Sequence, residues 1–384
     1  MIHTSYIELN QENLNCNIDF IKSQLKNGST YSMVIKGNAY GHGIEDIIPI
    51  VEKCAVNHFS VFSAEEAKRA HQVMSENSEL MIMGFIHKID LAWAIKNDIS
   101  YYVFNMERLQ ESLEAARSLE KPAKIHIELE TGMNRTGFRK DSIPELTSFL
   151  NKHQKYFKIE GICSHLAGAE SASNYDRIKA QIKSFHELRK SMEAENIHPK
   201  KLHLACSAAA LNYPETQLDL VRIGIANYGY WPSNELKMHR LMKEENWEDP
   251  LKAVLSWKSE IMSLNKVPEG EYVSYGKAYL TNRDSNIAAI PVGYGYGFSR
   301  DLSNLGRVLI NGKRVPVVGV VNMNMFLVDV TDLPNVKVSD EVVLIGQQGD
   351  LAISVSSFSD MSNSLNYELL TRLPHYIPRL IVND

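Results

Sequence analysis

The sequence has 384 residues, 44% of them apolar and 23% charged, with Lys plus Arg at 41 against Asp plus Glu at 46. That composition excludes a disordered chain and, at about 100–200 residues per domain, predicts two domains. A formal net charge of -5 argues against a broad basic surface for nucleic acid, and no apolar run approaches the ~20 residues of a membrane span. Residues Met1–Tyr6 show no basic patch ahead of an apolar stretch, so no secretory signal is expected. Cys16, Cys54, Cys163 and Cys206 form no Cys-x-x-Cys pair, which fits a reducing, cytoplasmic setting and predicts no metal cluster.

In chain order, short apolar runs rich in β-branched and aromatic residues predict strands at Ser32–Ile35, Phe59–Phe62, Leu80–Met83, Tyr101–Phe104, Ile125–Leu129, Ile159–Cys163, Leu202–Ala205 and Val221–Ile225. Between them, apolar positions at spacings of three and four predict helices at Glu65–Met74, Met106–Leu119, Pro144–Phe157 and Tyr175–Ala194. Strand–helix repetition implies parallel strands, because each crossover returns the chain to the same edge. Eight units in about 230 residues is the size of a (β/α)8 TIM-like barrel. A doubly wound open sheet has the same periodicity. The segment Lys237–Asp249 is polar and charged and reads as a linker with a short helix. From Leu251 onward helical patterns stop, and strands are expected at Ala253–Met262, Tyr272–Tyr279, Ile287–Val292, Arg307–Ile310, Val315–Val321, Phe326–Val330 and Val342–Ile345. Asn311-Gly312 reads as a hairpin turn. The expected organisation is an α/β barrel over residues 10–240 and a mostly-β domain over 241–384, joined by residues 1–9 as a strand.

Barrel chemistry sits at the C-terminal ends of the strands. The first barrel strand ends in Lys36, followed by Gly37-Asn38-Ala39-Tyr40-Gly41-His42-Gly43. An ammonium at the end of an apolar strand is unfavourable unless it is paired or has formed an imine. A surface lysine is the commoner reading of such a position; a Schiff-base lysine is the functional one. The glycines form no Walker loop, since no Gly-Lys-Ser/Thr closes them.

Val34 to Gly43 resembles the pyridoxal-phosphate lysine motif of alanine racemases, with Gly37 where that family usually has alanine. Further matches follow in order: Thr131-Gly132-Met133-Asn134-Arg135-Thr136-Gly137, Ser164-His165-Leu166, Cys206-Ser207-Ala208, Arg222-Ile223-Gly224-Ile225, Val273-Ser274-Tyr275-Gly276, Ile290 to Gly295, Asn366-Tyr367-Glu368 and Ile377-Pro378-Arg379. The resemblance covers both expected domains. It implies an isomerase that interconverts L- and D-alanine and supplies D-alanine to the cell wall. Lys36 would bind pyridoxal 5′-phosphate as an internal aldimine, and Ser207, the N–H groups of Gly224 and Ile225, Tyr40 and Tyr367 would hold the phosphate. Arg222 would face the pyridine nitrogen and keep it unprotonated, so that carbanion character stays near Cα.

Lys36 and Tyr275 would exchange protons on opposite faces of the substrate. A phenol is a poor base at neutral pH without a cationic or hydrogen-bonding partner, and His165 is the family's candidate. Arg135 and the backbone N–H of Met323 would bind the substrate carboxylate. The family also implies a homodimer with shared sites, acting on a small amino acid and not on nucleic acid or membranes. Besides Gly37, four positions depart from its pattern: Glu128 replaces a lysine often modified to a carbamate, Asn324 an aspartate, Cys206 an asparagine and Tyr296 an aspartate. These bear on the side chain accepted, leaving a racemase of serine or basic amino acids as an alternative, with a non-catalytic cofactor-binding paralogue as another. Arg222 and Ser207 argue against a basic amino-acid decarboxylase, and residues 251–384 against a small cofactor carrier.

Overall fold

A first strand, β1 (Ser5–Asn10), and a helix over Gln11–Ser23 precede eight short strands. These are β2 (Thr30–Val34), β3 (His58–Val61), β4 (Glu79–Ile82), β5 (Ser100–Val103), β6 (Ala123–Glu128), β7 (Phe157–Cys163), β8 (Lys201–His203) and β9 (Leu220–Ile223). The computed structural model describes residues 3–242, 248–362 and 366–383. The chain divides into two units, one of Leu14–Ala39 and Ile47–Lys252, the other of Met1–Asn13, Tyr40–Asp46 and Ala253–Asp384. In the first, every strand pairs in parallel with its neighbour in the order β8-β7-β6-β5-β4-β3-β2-β9. The ring closes between β8 and β9, where Asp219 N–H donates to Leu202 O at 3.0 Å and Arg222 N–H to Ala205 O at 2.9 Å. This is the (β/α)8 barrel, not the open sheet. β3, β5 and β9 are buried at every position, as strands covered on both faces must be.

Several polar groups inside this barrel are paired. Ser32 Oγ meets Ser60 Oγ at 2.5 Å and His58 Nδ1 at 2.8 Å. Burial pulls the His58 imidazole down to about 4; Lys201 acts in the same direction and Glu79 opposes it. An unfolded histidine takes its proton near 6.5, so between about 6.5 and 4 the unfolded state binds more protons and stability falls as pH drops. The expected result is a melting temperature that declines from pH 7 to pH 5, with His58→Gln showing a shallower decline. An unaltered slope in that variant would remove His58 as a source.

The second unit is a mixed sheet. Its strands are β10 (Leu255–Glu260), β11 (Ser263–Val267), β12 (Ser285–Ile290), β13 (Arg307–Ile310), β14 (Lys313–Val318), β15 (Phe326–Asp329), β16 (Glu341–Gln348), β17 (Leu351–Ile353) and β18 (Arg379–Val382). The order is β11-β12-β15-β14-β13-β16-β10-β1-β18, with β17 on β16. β1 lies between β10, antiparallel, and β18, parallel. Asn311 (φ 49) and Gly312 (φ 70) make the tight turn from β13 to β14. Phe298 stacks on Phe326 at 4.2 Å and meets Phe358 edge-on, beside the buried Trp257.

Several expected elements need correction. Helices do not stop at Leu251: Val355–Ser362 and Asn366–Thr371 are helical. Tyr272–Tyr279 is a loop with one isolated bridge, Tyr272 to Leu280, because Ser274 (φ 70) and Gly276 (φ 69) turn the chain out of any ladder. The apolar run Ala253–Met262 ends as β10 at Glu260, and β11 begins three residues on. The helix expected to reach Phe157 ends at Lys152; a 3-10 turn follows, and Phe157 opens β7. The helix placed within Lys237–Asp249 is Asn234–Leu241, and residues 243–247 of that segment lie outside the described residues. No helix among the described residues is long and apolar enough to cross a membrane.

Candidate active site

Seven of the residues singled out in the sequence gather at the C-terminal mouth of the barrel: Lys36, Arg135, His165, Ser207, Arg222, Gly224 and Ile225. Lys36 stands two residues beyond the end of β2, after the buried Ile35, and its side chain is exposed. The surrounding protein still desolvates the amine, and that burial, with Arg135 and Arg222, lowers its proton affinity against the opposing pull of Glu66 and Cys206.

The backbone after Lys36 is left-handed through Gly37 (φ 62), Asn38 (φ 55), Ala39 (φ 53) and Tyr40 (φ 52). Ala39 N–H closes the turn on Ile35 O at 2.8 Å. Each non-glycine residue there costs about 1–2 kcal/mol. Such strain persists only where the surroundings over-determine it, and it concentrates at functional sites. Gly41 (φ 85) ends the run, and a Cβ there would lie 2.0 Å from Leu370 O.

Arg222 leaves β9 inside the barrel wall and is almost fully buried. Its Nη1 donates to His203 Nδ1 at 2.5 Å and to His203 O at 3.1 Å. Its Nη2 donates to Ser164 O at 2.8 Å and Leu204 O at 2.9 Å. Burial opposes its charge, but Tyr102, Cys163, Cys206 and Glu128 together hold its proton affinity above the usual value. Because a guanidinium can only donate, it fixes a tautomer. His203 Nδ1 must accept, so its Nε2–H donates to His126 Nδ1 at 2.9 Å, and His126 Nε2–H then donates to Ser100 Oγ at 3.2 Å. Burial pulls both imidazoles well down, and Arg222 adds to it, so both are neutral. Neither histidine stands out in the sequence; an alternating polar position inside a parallel strand was the available signal.

Ser207 opens the short helix Ser207–Asn212 and is buried. Its Oγ accepts from Gly224 N–H at 2.8 Å, which leaves the hydroxyl proton for another acceptor. His165 is pulled down to about 3 by burial, then by Arg222, Arg135 and Lys36. It is neutral, so it can serve a phenol through a hydrogen bond and not as a cation. The Arg135 loop is fastened at its root: Phe138 N–H donates to Glu128 O at 2.8 Å and Arg177 Nη2 to Gly132 O at 2.9 Å. Gln181, which the sequence reading missed, ties Thr131 Oγ1 (3.3 Å), His165 O (3.0 Å) and Ala167 N–H (2.8 Å) together. Glu128 is buried beneath this loop; burial raises its proton affinity, while Thr136 and Arg135 act to lower it.

The other four residues lie in the second unit. Tyr40 and Tyr367 meet edge-on with ring centroids 6.2 Å apart. Tyr275 is 70% exposed and Met323 56%. Ser274 Oγ donates to Val320 O at 2.8 Å, which fastens the Tyr275 loop to the segment leading to Met323. Gly295 N–H donates to Met323 O at 2.9 Å, and Tyr296 packs edge-on against Tyr376.

A nucleophilic amine, two guanidinium groups and a serine–amide pair at a barrel mouth suit an anionic carbonyl compound. The donor set therefore fits pyridoxal phosphate: Lys36 for its aldehyde, Ser207 for its phosphate and Arg222 for its ring.

A barrel with this mouth and a separate β unit has the donor set of a pyridoxal-phosphate-type enzyme, and the fold alone does not fix its reaction. The sequence pattern of the alanine racemase N-terminal domain matches residues 9–232, and that of the C-terminal domain matches 254–381. An alanine racemase of Clostridium novyi is 33% identical over 99% of this chain and 95% of that protein. The alanine racemase structure from Streptomyces lavendulae superposes with a TM-score of 0.91 at 27% identity, covering 100% of this chain and 98% of that one. The alanine racemase structure from Bartonella henselae, described with covalently bound pyridoxal phosphate, gives 0.83 at 28% identity over 99% and 100%. The chain belongs to the alanine racemase family of pyridoxal-phosphate-dependent isomerases.

Proposed function

We propose that this chain interconverts L- and D-alanine with pyridoxal 5′-phosphate at the barrel mouth, in the cytoplasm, and that the D-alanine serves cell-wall peptidoglycan. The observation that carries the reading is Lys36, an amine whose proton affinity is lowered, set on a strained turn beside Arg135 and Arg222. Ser207, with the amide of Ile225 and the hydroxyls of Tyr40 and Tyr367, would hold the phosphate, and the Gly224 amide would join them by exchanging its bond to Ser207 Oγ. Arg222, immobilised by four bonds, would stand at the ring nitrogen and disfavour its protonation. Bound there, the cofactor supplies the electron withdrawal that loosens the Cα proton.

The remaining work falls to the chain. Arg135 and Met323 N–H hold the substrate carboxylate, with Glu128 behind the arginine in place of a carbamate. Lys36 Nζ moves a proton on one face of Cα, and Tyr275 Oη moves it on the other. His165 is the phenol's neutral hydrogen-bond partner. The test is a panel of L-alanine, L-serine, L-lysine and L-arginine analysed by chiral chromatography. Alanine should racemise fastest; turnover of lysine or arginine with none of alanine would overturn the assignment.

The exposure of Tyr275 and Met323 in a single chain supports a homodimer in which each subunit completes its partner's site. Lys36→Ala and Tyr275→Ala proteins, each inactive, should recover activity when mixed under subunit exchange, because each heterodimer contains one intact site. Isolated heterodimers that stay inactive would place both groups in one chain's site.

A further inference from the structure

The left-handed turn after Lys36 is held by two side chains of the helix Ala64–Val73, which stand one turn apart on the same face. Glu66 Oε1 accepts from Gly37 N–H at 2.6 Å, and its Oε2 accepts from Phe62 N–H at 2.9 Å. Arg69 Nη2 donates to Asn38 Oδ1, also at 2.6 Å. One carboxylate thus bridges the residue that follows Lys36 and the residue just after β3.

This use of Glu66 is not what its position favours. Ser63-x-x-Glu66 has the spacing of a capping box, in which the glutamate would reach back to the Ser63 N–H. Half of that motif is present, with Glu66 N–H donating to Ser63 Oγ at 3.3 Å. The carboxylate itself is turned to Gly37 and Phe62.

We propose that Glu66 is a positioning residue for the reaction: by holding the Gly37 N–H it keeps the left-handed turn in place, and with it the aim of the Lys36 amine into the barrel mouth. The inference rests on the reading of Lys36 as the reacting amine. Glu66 also acts on that amine through space, since its charge favours the ammonium against burial, Arg135 and Arg222, as Cys206 also does. Arg69 secures the same turn one residue further on, so the helix clamps it at two points. A displaced amine matters because misplacing a reacting group by about 1 Å can lower a rate by as much as ~100-fold.

The test uses Glu66→Gln, which keeps the shape but loses the charge and one acceptor, with Arg69→Met as a second variant that removes the other clamp and leaves the Glu66 carboxylate, the charge that acts on Lys36, in place. Lys36 reactivity is read in cofactor-free protein by trace acetic anhydride labelling against pH, with peptide mass spectrometry; turnover is read on the loaded enzyme. Glu66→Gln should shift the labelling midpoint of Lys36 to lower pH and reduce kcat by roughly 10- to 100-fold. The KM for alanine should move by less than about threefold, because Arg135 is untouched. Arg69→Met should lower kcat with the midpoint unchanged. If both variants keep parental kcat, or if Glu66→Gln leaves the Lys36 midpoint where it was, the proposal is wrong. Should Glu66→Gln fail to fold, parental kcat in Arg69→Met alone overturns the clamp. A Lys36→Ala control separates the two claims: turnover surviving there sinks the reading of Lys36, whatever Glu66 does.

Discussion

Lys36→Ala should yield a folded protein that carries no borohydride-reducible pyridoxal phosphate and does not racemise alanine. The side chain is exposed beyond the last residue of β2, so its truncation opens no cavity in the barrel, and the melting temperature should stay near the parent's. The chemistry loses its nucleophile and one of its two proton carriers at once, and groups that act as a unit are lost together, so the fall in kcat spans several orders of magnitude. Absorbance of the bound cofactor, borohydride trapping with peptide mapping, and turnover are the three measurements. A reducible adduct at another lysine with normal turnover would contradict the assignment.

Tyr275→Phe separates the two directions. Removing a positioned acid–base group lowers a rate by about 100- to 10,000-fold. With Lys36 intact, one face of Cα keeps its proton carrier and the other does not. The expectation is that Lys36 serves the D-enantiomer and Tyr275 the L-enantiomer. In deuterated water, exchange at Cα of L-alanine should therefore collapse while exchange of D-alanine continues. Equal residual exchange from both enantiomers would contradict a two-group arrangement. Because Tyr275 is 70% exposed in the chain, the substitution leaves packing intact, and stability serves as the control.

The barrel was legible because its strands are buried on both faces. Runs such as Phe59 to Val61 and Tyr101 to Val103 are buried at every position, as strands covered on both faces are, although an open doubly wound sheet would bury them as well. The β unit was less legible. Arg379–Val382 is half exposed at the sheet edge and carries no apolar alternation, so β18 gave no signal. Tyr272–Tyr279 did carry a strand-like composition, but Ser274 and Gly276 adopt positive φ and lift Tyr275 out of the sheet. Most of the candidate site was readable as motif, from Lys36 through Arg222 to Tyr275. Its supports were not. Gln181, His126, His203 and Glu66 reach the site through contacts across 14 to 77 residues of sequence. Their local settings suggest a helix surface, a core strand and a helix cap.

The pairing of β1 with β18 has a consequence for biosynthesis. Ile7 of β1 lies opposite Arg379, so one partner of this strand leaves the ribosome roughly 370 residues after the other, about 20–75 s later at ~5–20 residues per second. Its antiparallel partner Trp257 arrives earlier but still after the whole barrel. The barrel can therefore close while the nascent chain trails an unpaired N-terminal strand with buried-type residues Ile7 and Leu9 exposed. Such an edge invites pairing with a neighbouring nascent chain until its own partners emerge. Slowing elongation beyond residue 252 prolongs that interval, and chaperone demand during translation should rise with it.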